Sequence, residues 1–535
     1  MKSPPRSRRH RSATSLIATI AIAPQLINAQ LVDDSQVSPT VPLATIAKSL
    51  EQQIGAGRGD KLTPQSSIYL IERDPARSIR RGRQLFQRKF TAAQGLGPRV
   101  NPTSSGNIAT HPALGAGLSD SCAACHGRPR GSAGFGGVVA TRPDSRDAPH
   151  LFGLGLQEMI ADEMTQELRN IQYDAIRRAI ARERPVTVRM HSKGVDFGSL
   201  RARPDSFVET DRLRGVDEDL RVRPFFAQGG GFSIREFIVG AFNDEMGLQS
   251  ADPDLATASA GGRVTTPAGL VLDGAYDKVD APPVESTGED GDGDGVINEV
   301  DPSLVDHLEF YLLNYFKPGT GKKSRTSERG RQLMKATGCT QCHIADFTID
   351  KDRRVADVET VYDSRKGIFN NLFATAETRF ELVDDGHQYP RLVPEGKKFR
   401  VKNIYTDFKR HDLGEAFHER NYDGTIQKEF MTEPLWGVGS TPPYGHDGRS
   451  INLEEVILRH GGEAKKSQQR FKRLRENDRN AIIAFLNTLV LFPPDDTASN
   501  LNAGDKSGNP QDPANHGNIN LGALFQIPDP DGLGE

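Results

Sequence analysis

The chain is poor in cysteine and tryptophan, since its 535 residues include only four cysteines and one tryptophan. Hydrophobic residues make up 36% of the chain, whereas glycine (53) and proline (33) are abundant, which indicates a protein rich in loops. The formal net charge of -3 does not indicate a nucleic-acid or membrane partner. The apolar run near the N-terminus is much shorter than the roughly 20 residues of a membrane-spanning helix, so no membrane span is expected.

All the cysteines fall into two copies of one motif, Cys122-Ala123-Ala124-Cys125-His126 and Cys339-Thr340-Gln341-Cys342-His343. The spacing is typical of covalent c-type haem attachment. Two thiols separated by two residues can add to both vinyl groups of one porphyrin, and the adjacent histidine can ligate the iron. The motifs predict two covalently bound c-type haems, with the four cysteines as thioether anchors and with His126 and His343 as proximal ligands. A thioredoxin-like pair, a four-thiolate zinc site and disulfides are alternatives that the two histidines disfavour.

The N-terminus has the features of an export signal. A basic leader precedes the short apolar run Leu16 to Ile22, and small residues before Gln30 form a cleavage site. Residues 1–29 are therefore predicted to be a signal peptide. Since haem is attached to c-type cytochromes after export, we expect a periplasmic protein.

A five-residue repeat indicates duplication. The sequence from Arg81 to Leu85 recurs letter for letter from Arg329 to Leu333, each time on a predicted helix before a haem motif. Amphipathic patterns at 304–315 and 479–491 predict a closing helix for each unit. We therefore expect a mainly α fold, with two cytochrome c-like haem domains, long loops and little β-structure.

The expected organisation has five parts. They are a signal peptide (1–29), an N-terminal extension (30–78), a first haem domain (79–320), a second haem domain (321–493) and a loop-rich tail (494–535).

An acidic segment at 290–301, inside the first expected domain, resembles an EF-hand calcium loop. Carboxylates occupy loop positions 1, 3, 5 and 12, and glycine occupies position 6. The predicted Ca²⁺ ligands are Asp290, Asp292, Asp294 and Asp301. An acidic linker without calcium is the alternative.

The sixth iron position of the second haem has one leading candidate. Asn452 is a predicted N-cap of a short helix, on which Leu453, Val456, Ile457 and His460 share one face. His460 is therefore the predicted distal ligand of the haem on His343. Rival ligands are Met431, His411 and His446.

Several motifs resemble one family of haem enzymes. They are Pro443-Tyr444-Gly445-His446-Asp447-Gly448, Ile404-Tyr405-Thr406-Asp407, His411-Asp412-Leu413-Gly414, Pro434-Leu435-Trp436-Gly437, His460-Gly461-Gly462-Glu463-Ala464 and Ala148-Pro149-His150-Leu151-Phe152-Gly153. In combination, over residues 80 to 492, they resemble the bacterial di-haem cytochrome c peroxidase superfamily. The closest resemblance is to its di-haem oxidoreductase branch, once called thiol oxidoreductases.

The resemblance implies roles for further residues. It implies bis-histidine ligation by His343 and His460, and a reactive haem on His126. Glu245 resembles the acid/base glutamate of the peroxidases, although a solvated helix-end carboxylate is an equal alternative. Phe237 stands where the family has glutamine, and it suits oxygen and an apolar substrate. Trp436 is placed to relay electrons between the haems, or it is ordinary core packing.

The resemblance therefore implies a periplasmic peroxidase-like oxidoreductase that passes electrons from the His343/His460 haem to the His126 haem. Its partners would be a small-molecule oxidant, peroxide or oxygen, and a periplasmic electron donor. One alternative is a di-haem oxygenase that cleaves an apolar organic substrate. A second alternative is a non-enzymatic electron carrier, which a strong sixth ligand to the first iron would favour. Candidates for that ligand are His111, His150, Met159 and Met164.

Overall fold

A computed structural model describes residues 50–91, 94, 119–126, 144, 146–282, 298–315, 317–321, 323–359, 375–421 and 423–490. The α-helices of these residues are α1 (Leu50–Ile54), α2 (Ser67–Arg73), α3 (Pro75–Gln87), α4 (Cys122–His126), α5 (Leu154–Ala181), α6 (Ile234–Ala241), α7 (Pro253–Ser259), α8 (Pro302–Leu313), α9 (Arg325–Thr337), α10 (Leu453–Arg459), α11 (Lys465–Lys472) and α12 (Glu476–Leu486). A π-helical turn, Phe242–Met246, follows α6 directly. Short 3-10 turns occur at Cys339–Gln341, Glu415–Phe417 and Gly462–Ala464.

The strands are short. They are β1 (Val186–Ser192), β2 (Val195–Ala202), β3 (Val208–Glu209), β4 (Arg263–Thr265), β5 (Val271–Asp273), β6 (Gly319–Thr320), β7 (Phe347–Ile349), β8 (Ala356–Glu359), β9 (Thr375–Thr378), β10 (Phe380–Val383), β11 (Arg391–Pro394), β12 (Phe399–Val401), β13 (Arg410–Asp412), β14 (Glu419–Arg420), β15 (Ile426–Gln427), β16 (Glu429–Met431) and β17 (Leu489–Val490). The sheet β1-β2-β3 has three strands, and the other sheets are antiparallel pairs: β4-β5, β6-β17, β7-β12, β8-β9, β10-β11, β13-β16 and β14-β15.

The prediction of a mainly α fold with little β-structure is wrong. The described residues form seventeen strands in eight small sheets. Most of these strands lie in the long segments between helices, at 186–209 and 347–431, for which no secondary structure was predicted. Pairing such segments supplies hydrogen bonds to backbone groups that would otherwise be unsatisfied.

The repeated pentapeptide lies on equivalent helices that pack in the same way. Helix α3 packs against α8, and α9 packs against α12. A Cβ added to Gly82 would lie 2.1 Å from the His307 carbonyl oxygen, and one added to Gly330 would lie 1.8 Å from that of Ala481. Glycine therefore allows each helix pair its close backbone contact. The predicted closing helices are confirmed, although α12 ends at Leu486, earlier than expected.

A second pair of glycines extends this similarity. A Cβ on Gly155 would lie 2.0 Å from the Leu313 carbonyl oxygen at the end of α8. A Cβ on Gly439 would lie 2.7 Å from Cα of Asn487, just after α12. Each glycine follows a Leu-aromatic-Gly sequence, so the two halves share a second close contact.

Replacing Gly330 with alanine should destabilise the protein. The added methyl group has no space against the Ala481 carbonyl, and relieving such overpacking costs about 1–3 kcal/mol. Thermal unfolding of the holoprotein measures this loss. The exposed Gln332→Ala on the same helix is the control and should change stability by less than about 0.5 kcal/mol. Equal stability of Gly330→Ala and the wild type would contradict the close α9–α12 contact.

The larger hydrophobic core includes residues on both sides of the predicted boundary at 320, such as Val305 and Ile349. A smaller core joins α9, α10 and α12 and contains Met334, Leu453 and Ile482. The division into the five predicted segments stays a prediction. Among the described helices, none has both the length and the apolar content needed to cross a bilayer.

The predicted calcium loop lies mostly outside the described residues, as do the signal peptide and the tail. Asp290, Asp292 and Asp294 belong to that part of the chain. Asp301 is described, and it is the N-cap of α8, where its carboxylate accepts a hydrogen bond from the Ser303 backbone N–H at 2.8 Å. Whether this loop binds calcium stays a prediction.

Candidate functional site

One cavity of about 570 Å³ brings both cysteine-histidine motifs together. Its lining includes all four cysteines, His126, His343 and His460. The first motif forms α4, and the second begins with the 3-10 turn that follows α9. The cavity is largely apolar elsewhere, because α6, α10 and α12 turn hydrophobic side chains toward it.

The two motif histidines are held in the same manner. Nδ1 of His126 donates to the Pro149 carbonyl oxygen at 2.6 Å, and Nδ1 of His343 donates to that of Tyr405 at 2.9 Å. Burial lowers the pKa of both imidazoles, so both are neutral at pH 7. A neutral ring that donates from Nδ1 keeps a lone pair on Nε2, and metal-bound histidines are commonly oriented in this way. With two cysteines beside each histidine, the residues present fit two c-type haems.

His460 has the same arrangement. Its Nδ1 donates to the Val456 carbonyl oxygen at 2.7 Å, and burial lowers its pKa to about 4. Asn452 is the N-cap of α10 as predicted, and the helix ends at Arg459, so that His460 takes the C-cap position. The residues predicted to share one face of this helix, Leu453, Val456, Ile457 and His460, all line the cavity.

The rival ligands are placed differently. His411 has both ring nitrogens engaged by carboxylates, Nε2 with Asp407 and Nδ1 with Glu463, each at 2.9 Å. The ring of His446 stacks on Phe430 with centroids 3.9 Å apart, and its Nε2 lies 3.2 Å from Glu419. Met431 is buried and lines the cavity.

An aromatic cluster lies beside His126. The ring centroid of Phe237, on α6, is 6.1 Å from that of His126. The rings of Phe225 and Phe226 lie 6.2 and 5.6 Å from that of Phe237. Glu245 lines the same cavity from the π-helical turn. The structure therefore brings Phe237 and Glu245 to the cavity that contains His126.

The candidates for a sixth ligand of the first iron differ in their positions relative to the cavity. His150 lines the cavity, but its Nε2 donates to the Trp436 carbonyl oxygen at 2.7 Å and its Nδ1 accepts from the Phe152 N–H at 3.3 Å. Met159 and Met164 are buried in the hydrophobic core and are not among the residues that line the cavity. His111 lies outside the described residues.

Trp436 connects the two halves of the chain. Its indole is 2% exposed and lines the cavity, and Nε1 donates to the Lys402 carbonyl oxygen at 3.2 Å. The ring packs against Gly153, where an added Cβ would lie 2.5 Å from it. The left-handed conformation of Gly153 (φ 73°) and its missing side chain both favour glycine there.

A buried charged cluster that the sequence did not predict lies in the cavity wall. Arg146 donates to both carboxylate oxygens of Glu419 at 2.8 and 2.6 Å, and His446 also contacts Glu419. Burial would raise the pKa of Glu419, but the hydrogen bonds from Arg146 and His446 lower it to about 2. Arg146 also donates to the side-chain oxygen of Gln228, next to the aromatic cluster. The cluster joins the segment before Pro149 to the second half of the chain.

Glu433 was missed as well. It lines the cavity and is exposed by surface area, while the protein packed around its carboxyl desolvates it. Burial raises the pKa of its carboxyl to about 7, and the positive charge of Arg146 opposes this rise. The one available signal was a lone carboxylate between two apolar pairs, Phe430-Met431 and Leu435-Trp436.

Comparison with models of protein families gives a match. A model of the family described as "di-haem oxidoreductase, putative peroxidase" matches residues 394–489. This stretch is similar to di-haem oxidoreductases. It contains Glu419, Glu433, Trp436, His446 and His460 but neither cysteine motif. No curated protein matches the chain. The match supports haem binding and oxidoreductase chemistry at this coarse level.

Proposed function

We propose that the protein is a di-haem c-type oxidoreductase of the peroxidase kind. One haem would be held by His343 and His460, and the other by His126. The observation that carries the proposal is the shared geometry of these histidines, each of which donates from Nδ1 to a backbone carbonyl within one cavity. The similarity of residues 394–489 to di-haem oxidoreductases supports it.

When bound, the two haems would supply electrons and an iron centre at which peroxide can be reduced. The chain's own residues would orient the reactants and move protons. The carbonyls of Pro149 and Tyr405 fix the two motif histidines, and Phe237 limits polar access beside His126. Trp436 lies at the contact between the two halves, which suits an electron relay.

Two of the carboxylates that line the cavity are assigned roles in proton transfer. We assign to Glu245 the acid/base step, in which its carboxylate takes a proton from peroxide and returns it to the leaving oxygen. Glu433 is assigned the supply of protons from the side of the cavity near Arg146. A carboxyl with a pKa near 7 can accept and release protons at physiological pH.

The pH dependence of turnover should reveal Glu433. Only the protonated carboxyl can supply a proton, and this form predominates below its pKa of about 7, so turnover should fall as the pH increases through this range. Glu433→Gln should lower kcat about tenfold at pH 6 and remove this fall. Peroxide-dependent oxidation of a reduced donor, measured from pH 5 to 9, checks the prediction. Glu429→Gln, an exposed carboxylate on β16, is the control, and an unchanged profile for Glu433→Gln would assign the supply of protons to another group.

The cellular setting belongs to the same proposal. We infer that residues 1–29 direct export and that the mature protein works in the periplasm. Its substrates would be a small-molecule oxidant and an electron donor from that compartment.

Low-temperature EPR of the oxidised holoprotein tests the proposed function. We expect a high-spin ferric signal from the His126 haem beside a low-spin signal from a bis-histidine haem. Two low-spin signals, with that of the first haem retained after half-reduction, would contradict the proposal and indicate an electron carrier. The geometry of His150 makes this outcome unexpected, because both of its nitrogens already have backbone partners.

The aromatic cluster favours a second candidate function. Phe225, Phe226 and Phe237 place apolar rings near His126, as an oxygenase acting on an apolar organic substrate would require. Oxygen uptake that depends on such a substrate, together with slow reaction with peroxide, would favour this function over the peroxidase.

A further inference from the structure

Helix α11 has two different faces. Ala464, just before the helix, and Ser467, Gln468 and Phe471 within it line the cavity. These residues have the spacing of one helical face. The opposite side presents exposed cations: Lys465, Lys466, Arg470 and Lys472 on the helix, and Arg473 and Arg475 just after it. We call these six residues the basic face.

The basic face is concentrated and largely uncompensated. Residues 459–479 contain eight lysines and arginines against three carboxylates, in a chain whose net charge is -3. Glu463 hydrogen-bonds His411, and Asp478 pairs with Arg329. Within the described residues, the ion pairs involve none of the six cations of the basic face. Their charge is therefore available to a partner.

This face lies close to the second motif. Helix α11 packs against α9 and α10, and a Cβ on Gly338 would lie 3.1 Å from both Ser467 Oγ and Arg470 Nη1. Gly338 directly precedes Cys339. Only the thickness of one helix, about 10 Å, separates the basic face from the cavity.

An apolar position adjoins the charges. Leu458 is 37% exposed, and its carbonyl oxygen accepts a hydrogen bond from Gln468 of α11 at 3.0 Å. A small apolar contact with charges around it suits a transient interface, in which charge complementarity accelerates encounter.

We propose that the basic face of α11 docks an acidic electron-donor protein. The inference rests on the proposed function and adds to it the entry point and the chemistry of the donor. One electron would pass from the reduced cofactor of the donor, which is thereby oxidised, to the haem held by His343. An anionic membrane surface would also attract these cations, but it would make no use of their position beside the second motif.

Stopped-flow reduction of the oxidised holoprotein tests the proposal. The probes are two reduced monohaem cytochromes c of similar potential, one acidic and one basic, and hydroquinone serves as a neutral reductant. The acidic cytochrome should reduce the His343 haem faster, and its second-order rate constant should fall about tenfold or more between low and high salt.

Removing charges from the basic face provides a second test in the same experiment. Lys465→Gln, Lys466→Gln and Arg470→Gln combined should lower the low-salt rate with the acidic cytochrome about tenfold and leave the hydroquinone rate unchanged. Removing as many charges elsewhere, with Arg177→Gln, Arg182→Gln and Arg184→Gln near the end of α5, should change neither rate.

Three results would decide against the docking surface or against its premise. Equal rates with both cytochromes that the α11 substitutions do not change would overturn the docking proposal. Normal reduction by hydroquinone in the same experiment would leave the proposed function intact. The protein could instead cosediment with phosphatidylglycerol vesicles and lose this binding on the α11 substitutions. Together with equal reduction rates for the two cytochromes, this result would assign the basic face to a membrane. Absence of a reduced haem on His343 even with excess dithionite, a strong reductant, would contradict the proposed function itself.

Discussion

Replacing His460 with glycine should convert the low-spin haem on His343 to a high-spin state and lower peroxidase turnover on the order of 10²-fold. His460 is the cavity histidine outside the motifs that shares their arrangement, with Nδ1 donating to a carbonyl and Nε2 left for a metal. Its pKa of about 4, lowered by burial, keeps the ring neutral throughout the physiological range. EPR and the visible spectrum of the oxidised holoprotein measure the change of spin state.

The control for this prediction is His411→Gln. Both nitrogens of His411 already contact carboxylates at 2.9 Å, so its loss should leave the low-spin signal in place. Removing His411 also deprives the Asp407 and Glu463 carboxylates of the cation that they share, which can lower stability. Thermal unfolding of the variant should therefore be measured together with its spectra. An unchanged spectrum in His460→Gly, together with loss of the low-spin signal in a folded His411→Gln, would transfer the ligand role to His411.

Local sequence signals predicted several of the helices well. Asn452 is the N-cap of α10, and the repeated pentapeptide lies on α3 and α9. Both features depend on residues that are near one another in the chain, and capping and helical periodicity act at that range.

The β-structure was missed although one signal for it was present. Strands β1 and β2 are joined by Lys193 and Gly194, which both have positive φ (46° and 85°), as a tight two-residue hairpin requires. Apolar and polar residues alternate from Val186 to His191, which matches the alternating burial along this strand. The other sheets are pairs of strands of two to four residues, too short for any period to be recognised.

The charged cluster of the cavity could not have been predicted from the sequence. Arg146 and Glu419 are 273 positions apart, and their pairing depends on how the two halves of the chain pack together. Glu433 shows the same limit, since its role depends on a cavity that residues from both halves enclose. Neither spacing nor composition carries this information.

Replacing Glu245 with glutamine should lower peroxidase kcat by about 10²–10⁴-fold at all pH values, because glutamine cannot take a proton from peroxide and return it to the leaving oxygen. Glu245 lies in a π-helical turn, a feature often found at functional sites, and it lines the cavity that contains His126 and Phe237. Steady-state turnover with peroxide and a reduced donor measures the loss, and EPR shows whether the haem on His126 keeps its high-spin signal.

The neighbouring Asp244 provides a matched control for Glu245. It lies in the same turn and lines the same cavity, so Asp244→Asn removes an equal charge from nearly the same place. We expect less than about a tenfold effect from this change, because a purely electrostatic contribution should be smaller than a lost proton transfer. Equal losses in both variants would mean that the charge of the turn matters and that Glu245 transfers no proton. An unaffected Glu245→Gln would assign the step to another carboxylate of the cavity, with Glu433 as the next to test.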